Sequence, residues 1–404
     1  MKSLTSFQPV MSEYADEILN IINKIEKVLW QNYSKEPFVG LHSGTGGIIL
    51  FYAYWAKFLN EDSYSDKLMK ILEFSINNFE KKEAPFNLFR GLGGLGWVIA
   101  HLKKKNFIDA DLDIVLKLID ESIMTIMLSQ IRNKNYDFLH GALGGLLYLM
   151  ERYNAEDIND YFLLIIKELK NESLTDDGNF LLIDNRKSEK GKTGFNLGLA
   201  HGIPGFIALL SIAIKEGTNL KEMKTLIKKN VAWLLQQKRG VNDSSIYPHR
   251  IPYGDKDFGQ IGWCFGDLGV ASSLYLAGET LNIEEWKTEA IDTFRFNSPI
   301  RHNIRNIMDA AICHGAISPA HLFNRIYQKT KIEIFKETSQ FWYKEVFRYK
   351  SFRDGHVGFK SYNVPQNKYL KNLDLLSGLT GIGLSLISSI SNIEPEWDRC
   401  LLLS

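Results

Sequence analysis

Three cysteines in 404 residues are too few for a disulfide framework, and their scarcity points to a reducing compartment. No run reaches the roughly 18 apolar residues of a membrane-spanning helix, and the opening MKSLTSFQPVMSEYADEILN is polar and acidic where a signal peptide needs an apolar core. An excess of one charge is also missing. Forty-eight lysines and arginines face 47 aspartates and glutamates with no long block of either sign, which removes the electrostatic footprint of a nucleic-acid binder. Strand-like patterns are scarce, so a sheet is the less expected architecture. These absences leave a soluble, cytoplasmic chain, and its 45% of apolar residues supplies a large core.

The dominant signal is a repeat in which a glycine turn runs into an apolar segment. Its instances are Gly44-Thr45-Gly46-Gly47, Gly91-Leu92-Gly93-Gly94, Gly141-Ala142-Leu143-Gly144, Gly202-Ile203-Pro204-Gly205, Gly266-Asp267-Leu268-Gly269, Gly315-Ala316-Ile317-Ser318 and Gly378-Leu379-Thr380-Gly381. Successive first glycines lie 47 to 64 residues apart, enough for two helices and their connections. The segments after the glycines, such as Phe206 to Ile214, carry few charges on any face and predict helices buried all round. Between them lie amphipathic stretches at 11–30, 64–80, 111–129, 155–171, 219–237, 283–296 and 331–349. In the fifth, Leu220, Met223, Leu226, Ile227, Val231, Leu234 and Leu235 follow helical spacing while lysines fill the opposite face.

Seven inner and seven outer helices in alternation predict an all-α fold, an α/α toroid or double barrel, since helix pairs that close on themselves leave no uncapped end. The whole chain, 1–404, is expected to be one such domain. Its long connections near 172–197, 238–262 and 350–374 would border the glycine turns.

Cys264 in Trp263-Cys264-Phe265-Gly266 and Cys313 in Cys313-His314-Gly315 stand at corresponding helix starts of neighbouring repeats. Two thiolates and the His314 imidazole suit Zn²⁺, and three protein ligands leave a fourth position for something reactive. The bland alternative for a single cysteine is a small buried hydrophobe, which is how Cys400 reads. The same turns collect His42, Asp137 with His140, and His201.

The succession of His201-Gly202-Ile203-Pro204-Gly205, Trp263-Cys264-Phe265-Gly266 and Cys313-His314-Gly315 within this repeat resembles the lanthionine synthetase C-like proteins, the LanC cyclases, from Gly40 to Ser385. The resemblance implies an α/α toroid holding one zinc ion per chain. It also implies an enzyme that adds cysteine thiols of a dehydrated, leader-bearing precursor peptide to dehydroalanine or dehydrobutyrine, forming (methyl)lanthionine rings. Coordination deprotonates a thiol whose ordinary pKa is about 8.5, which explains the need for a metal.

His201 matches the family's acid-base histidine, against the plainer reading of a histidine that hydrogen-bonds near its turn. Asp137 matches a family acid that would orient it, although a lone aspartate is more often a cap. Some members carry an arginine where this chain has Gln260, so an enolate-stabilising cation is either absent or comes from Arg250 or Lys256 in the preceding loop; His42 and His140 match no ligand and read as turn or peptide-contact residues. The resemblance further implies a stand-alone class I enzyme with a separate dehydratase and exporter as partners, and peripheral association with the inner membrane through that complex. Two other functions fit the same motifs: a LanC-like transferase that adds glutathione to dehydrated residues, and a non-catalytic scaffold with structural zinc.

Overall fold

The computed structural model describes residues 7–79, 86–173, 181–184, 194–218, 220–239, 244–252, 260–299 and 307–404, so Lys256 lies outside the described residues. In chain order the described residues form α1 (Ala15–Asn32), α2 (Thr45–Leu59), α3 (Ser63–Phe79), α4 (Leu92–Lys104), α5 (Asp113–Arg132), α6 (Ala142–Arg152) and α7 (Ala155–Ser173). These are followed by α8 (Ile203–Lys215), α9 (Lys221–Leu235), α10 (Asp267–Leu281), α11 (Glu284–Asn297), α12 (Ile317–Thr330), α13 (Glu333–Arg348) and α14 (Leu379–Ile390).

The odd-numbered helices are the amphipathic ones. In α9, Met223, Leu226, Ile227, Asn230, Val231 and Leu234 are buried at helical spacing, and the lysines face out. The even-numbered helices are buried almost all round: every residue of α8 from Ile203 to Ala213 is buried, and every residue of α14 from Leu379 to Ser389.

The chain divides into two compact units, one within Met1–Ala84 and Ser298–Asp398, the other within Pro85–Asn297 and Arg399–Ser404. In the first unit α14 packs against α12, α2 and α1, so the last repeat meets the first. In the second, α4, α6, α8 and α10 pack in sequence order, and α5, α7, α9 and α11 back them. The C-terminal residues are clasped into the second unit, where Arg399 pairs with buried Glu151 at 2.8 Å and the Leu401 carbonyl accepts the Trp263 indole N–H at 2.7 Å. No helix among the described residues is long and apolar enough to cross a membrane.

Two features depart from the expected pattern. Buried α12 is not apolar: His321 and Arg325 share the buried carboxylate of Asp398 at 2.8 and 3.1 Å, so their polarity is satisfied internally. Short strands occur within the long connections, where β1 (Ile183–Asp184), β2 (Gly194–Asn196) and β3 (Arg250–Ile251) form one antiparallel sheet and β4 (Ser361–Asn363) and β5 (Lys368–Leu370) a hairpin.

Six of the seven inner helices begin on the residue after the first motif glycine; α12, whose motif lacks the second glycine, begins two residues after Gly315. A close approach explains the glycine. At Gly266, with φ 110°, a Cβ would lie 1.8 Å from the carbonyl oxygen of Gln260 six residues earlier, and at Gly44, with φ 143°, 2.6 Å from that of Phe38. The same six-residue pinch recurs at Gly141, Gly202 and Gly378. Gly266→Ala is therefore expected to lower stability by at least about 2 kcal/mol through clash and backbone strain. Gly93→Ala, whose Cβ would meet nothing closer than 3.4 Å, should change it by less than about 0.5 kcal/mol in denaturant titration.

Candidate metal centre and acid-base pair

Cys264 lies in a pinched turn between Gln260 and Gly266. Gly262 donates to the Phe265 carbonyl at 3.2 Å, and Ile261 bridges to Gly266. The indole of Trp263 anchors the turn, leaving Cys264 only 3% exposed. The loop 244–252 is tied to the same turn by Asp267, the first residue of α10. Its carboxylate accepts the backbone N–H groups of Tyr247 and Ile246 at 2.9 and 3.0 Å and the Asn297 amide at 3.1 Å. Burial pushes the Asp267 carboxyl above its ordinary pKa, while those donors pull the other way.

Cys313 and His314, both half-buried, lie on the turn that precedes α12. The Cys313 N–H donates to the Leu376 carbonyl at 3.0 Å, and Leu376 N–H in turn donates to the His42 carbonyl at 3.2 Å. The His42 side chain is fully buried, so of its two expected roles the turn remains and the peptide contact does not. Beneath the turn sits Asp309, 1% exposed, which accepts the Ala311 N–H at 2.9 Å and the Tyr362 N–H at 2.7 Å. Burial raises its pKa, and nearby His314 opposes the shift.

The ligand atoms of Cys264, Cys313 and His314 all lie within 4.8 Å of one another, a group that could hold a metal ion. Two thiols and an imidazole are also the donor types zinc favours. Cys400 is fully buried, as its bland reading expected, and none of the three cysteines is in a disulfide.

His201 and Asp137 meet within the second unit, with His201 Nδ1 2.7 Å from Asp137 Oδ2. The other oxygen of Asp137 accepts the N–H groups of Leu139 and His140, each at 2.9 Å. Asp137 thus closes its own turn and reaches a histidine at once. The same position, four residues before the motif glycine, is filled by Asn87 and Asp374, which accept the N–H groups of Arg90 and Ser377. His201 stands among rings: exposed His140 stacks at 6.1 Å and 13°, and Phe265 lies 5.6 Å away with His249 beyond it at 5.5 Å.

Gln260 donates its N–H to His249 Nε2 at 3.4 Å, and half-buried Arg250 pairs with Asn196 in the β2–β3 ladder. Asp267 and Asp309 were not among the expected site residues. Their signal in the sequence was a lone acid in an apolar setting, Gly266-Asp267-Leu268-Gly269 and Met308-Asp309-Ala310-Ala311-Ile312.

Comparison with known proteins gives the family and the fold. The model of the family described as lanthionine synthetase C-like protein matches residues 39–402. "Nisin biosynthesis protein NisC" from Lactococcus lactis subsp. lactis is 26% identical over 360 residues, covering 79% of this chain and 84% of that protein. The solved structure titled "Nisin cyclase" superposes with a TM-score of 0.77 at 19% identity, covering 95% of this chain and 98% of the other, and gives the fold as an α/α toroid. With one family model spanning nearly its whole length, the chain belongs to the lanthionine synthetase C-like family.

Proposed function

We propose that this chain is a zinc-dependent lanthipeptide cyclase, adding cysteine thiols of a dehydrated precursor peptide to dehydroalanine or dehydrobutyrine. The observation that carries the reading is the gathering of Cys264, Cys313 and His314, three donors of the right softness with no fourth such side chain in the group among the described residues. Bound there, zinc would supply a Lewis acid that keeps a thiol ionised at neutral pH while two protein thiolates hold the metal's acidity down, which favours sulfur alkylation over water activation.

The remaining chemistry belongs to the chain's own groups. Addition of sulfur to Cβ moves the alkene electrons onto the adjacent carbonyl, and the resulting enolate must take a proton at Cα. The thiol's proton is thereby replaced by a C–H, and the peptide's mass is unchanged. His201 is the proposed acid. Asp137 accepts a hydrogen bond from Nδ1–H, which fixes the tautomer and leaves Nε2 to carry the transferred proton. Asp137 is held in turn by two backbone N–H groups, so the pair is preorganised. A dehydrating enzyme must supply the substrate, because the reaction begins from alkenes the chain has no proposed means of making.

Purified protein is expected to contain about one zinc per chain by elemental analysis, and Cys264→Ala to lose it. Zinc-free wild type, or normal cyclisation by Cys264→Ala, would sink the proposal. His201→Ala should keep its zinc and slow ring formation by about 10²–10⁴-fold, read by mass spectrometry after thiol alkylation of the dehydrated peptide. Asp137→Asn should keep the turn, since Asn87 fills the same position elsewhere, and still lose most of that factor; an unchanged rate would reduce Asp137 to a cap.

A further inference from the structure

The β4–β5 hairpin carries features that neither the metal group nor the acid-base pair uses. Between Lys350 and Asn372 five cationic side chains, Lys350, Arg353, Lys360, Lys368 and Lys371, face one acid, Asp354, in a chain otherwise balanced in charge. Lys360 is paired with Asp354 at 2.6 Å, and among the described residues no ion pair holds Arg353, Lys368 or Lys371, all exposed. Burial, and then the ammonium groups of Lys371 and Lys35, keep the His356 imidazole below its ordinary pKa. Apolar surface lies among these charges: Val364 is 66% exposed, Met308 38% and Tyr369 36%. Phe352, Tyr369 and Tyr362 form a ring cluster with centroids 4.8 and 5.2 Å apart.

The hairpin is also strapped to the segment leading into Cys313. Tyr362 N–H donates to Asp309 at 2.7 Å and Tyr369 Oη to the Met308 carbonyl at 3.1 Å. The first of these bonds fixes the ladder. Because Tyr362 points its N–H away from β5 to reach Asp309, the Tyr362–Tyr369 pair is the one without mutual hydrogen bonds. Tyr369 therefore directs its own N–H and C=O to the outer edge of β5, where the sheet has no further strand among the described residues.

We propose that the outer edge of β5 docks an acidic, extended segment of the substrate peptide as a third strand. Main-chain bonds at Tyr369 supply the pairing, Lys368 and Lys371 the charge complementarity, and the ring cluster an apolar anchor. This deepens the cyclase reading and rests on it for the identity of the peptide as substrate. An unpaired strand edge favours a peptide over a nucleic acid, which would use the cations and rings and have no use for the edge.

Fluorescence anisotropy of the full chain tests this. The probe is a fluorescein-labelled octapeptide alternating glutamate and threonine with one central phenylalanine, beside its lysine counterpart and an oligouridylate. Wild type and Cys264→Ala should bind the acidic probe alike. Lys368→Glu with Lys371→Glu should weaken binding at least about tenfold, or about 1.4 kcal/mol. Tyr369→Pro, which keeps every charge and removes the donor, should also weaken it, and N-methylation of the probe's backbone makes the same test without altering the protein.

Unchanged binding by the double variant, indifference to N-methylation, or preference for the lysine probe or oligouridylate would overturn the proposal and leave the lysines as guards of an exposed edge. Zinc content and ring formation by the same preparations separate the two readings. Probe binding without zinc or cyclisation contradicts the cyclase and not the docking edge; cyclisation without probe binding contradicts the docking edge alone.

Discussion

The close approach of five motif glycines, Gly44, Gly141, Gly202, Gly266 and Gly378, to the backbone six residues before them is the constraint on which the site depends. At Gly266 a Cβ would overlap the Gln260 carbonyl, and the pinch that results places Cys264 within the sharp turn that leads into α10. The same device at Gly202 and Gly141 sets His201 and Asp137 on neighbouring helix starts, α8 beside α6. The residues proposed to carry the chemistry stand beside the glycines, and the glycines determine only where those residues stand.

Around that frame the anchoring is done by buried aspartates. Asp267 and Asp309 each take backbone N–H groups from a segment in a long connection, the loop at 246–247 in one unit and the β4 strand in the other. A buried carboxylate is costly to desolvate, and backbone donors are the compensation that keeps it in place. The cysteine-bearing turns are therefore not isolated hinges, because each is fastened to a connection that could contact a large substrate.

Much of the fold was legible because its periodicities are long and clean. The alternation of amphipathic and wholly apolar helices can be read from segments such as 219–237 and 203–215 without knowing any contact. Helix α12 was the least legible of the inner set: its His321 and Arg325 look like surface residues until Asp398, far along the chain, is placed against them. The strands in the long connections were invisible for a related reason, being two or three residues each and stabilised by partners up to 56 positions apart, Phe195 opposite Ile251 (251−195). Within the site, Cys264, Cys313, His314 and His201 announced themselves by motif. Asp267 and Asp309 did not, because their role is to hold backbone, and a single acid carries little pattern.

The central claim is that the metal group keeps one coordination position for the sulfur of a substrate. X-ray absorption at the zinc edge of the loaded protein, with and without a cysteine-containing dehydrated peptide, measures this directly. The account predicts two sulfur ligands near 2.3 Å in the resting protein and three once the peptide is bound. A shell already closed by a fourth protein ligand, or a sulfur count unchanged by the peptide, would contradict it.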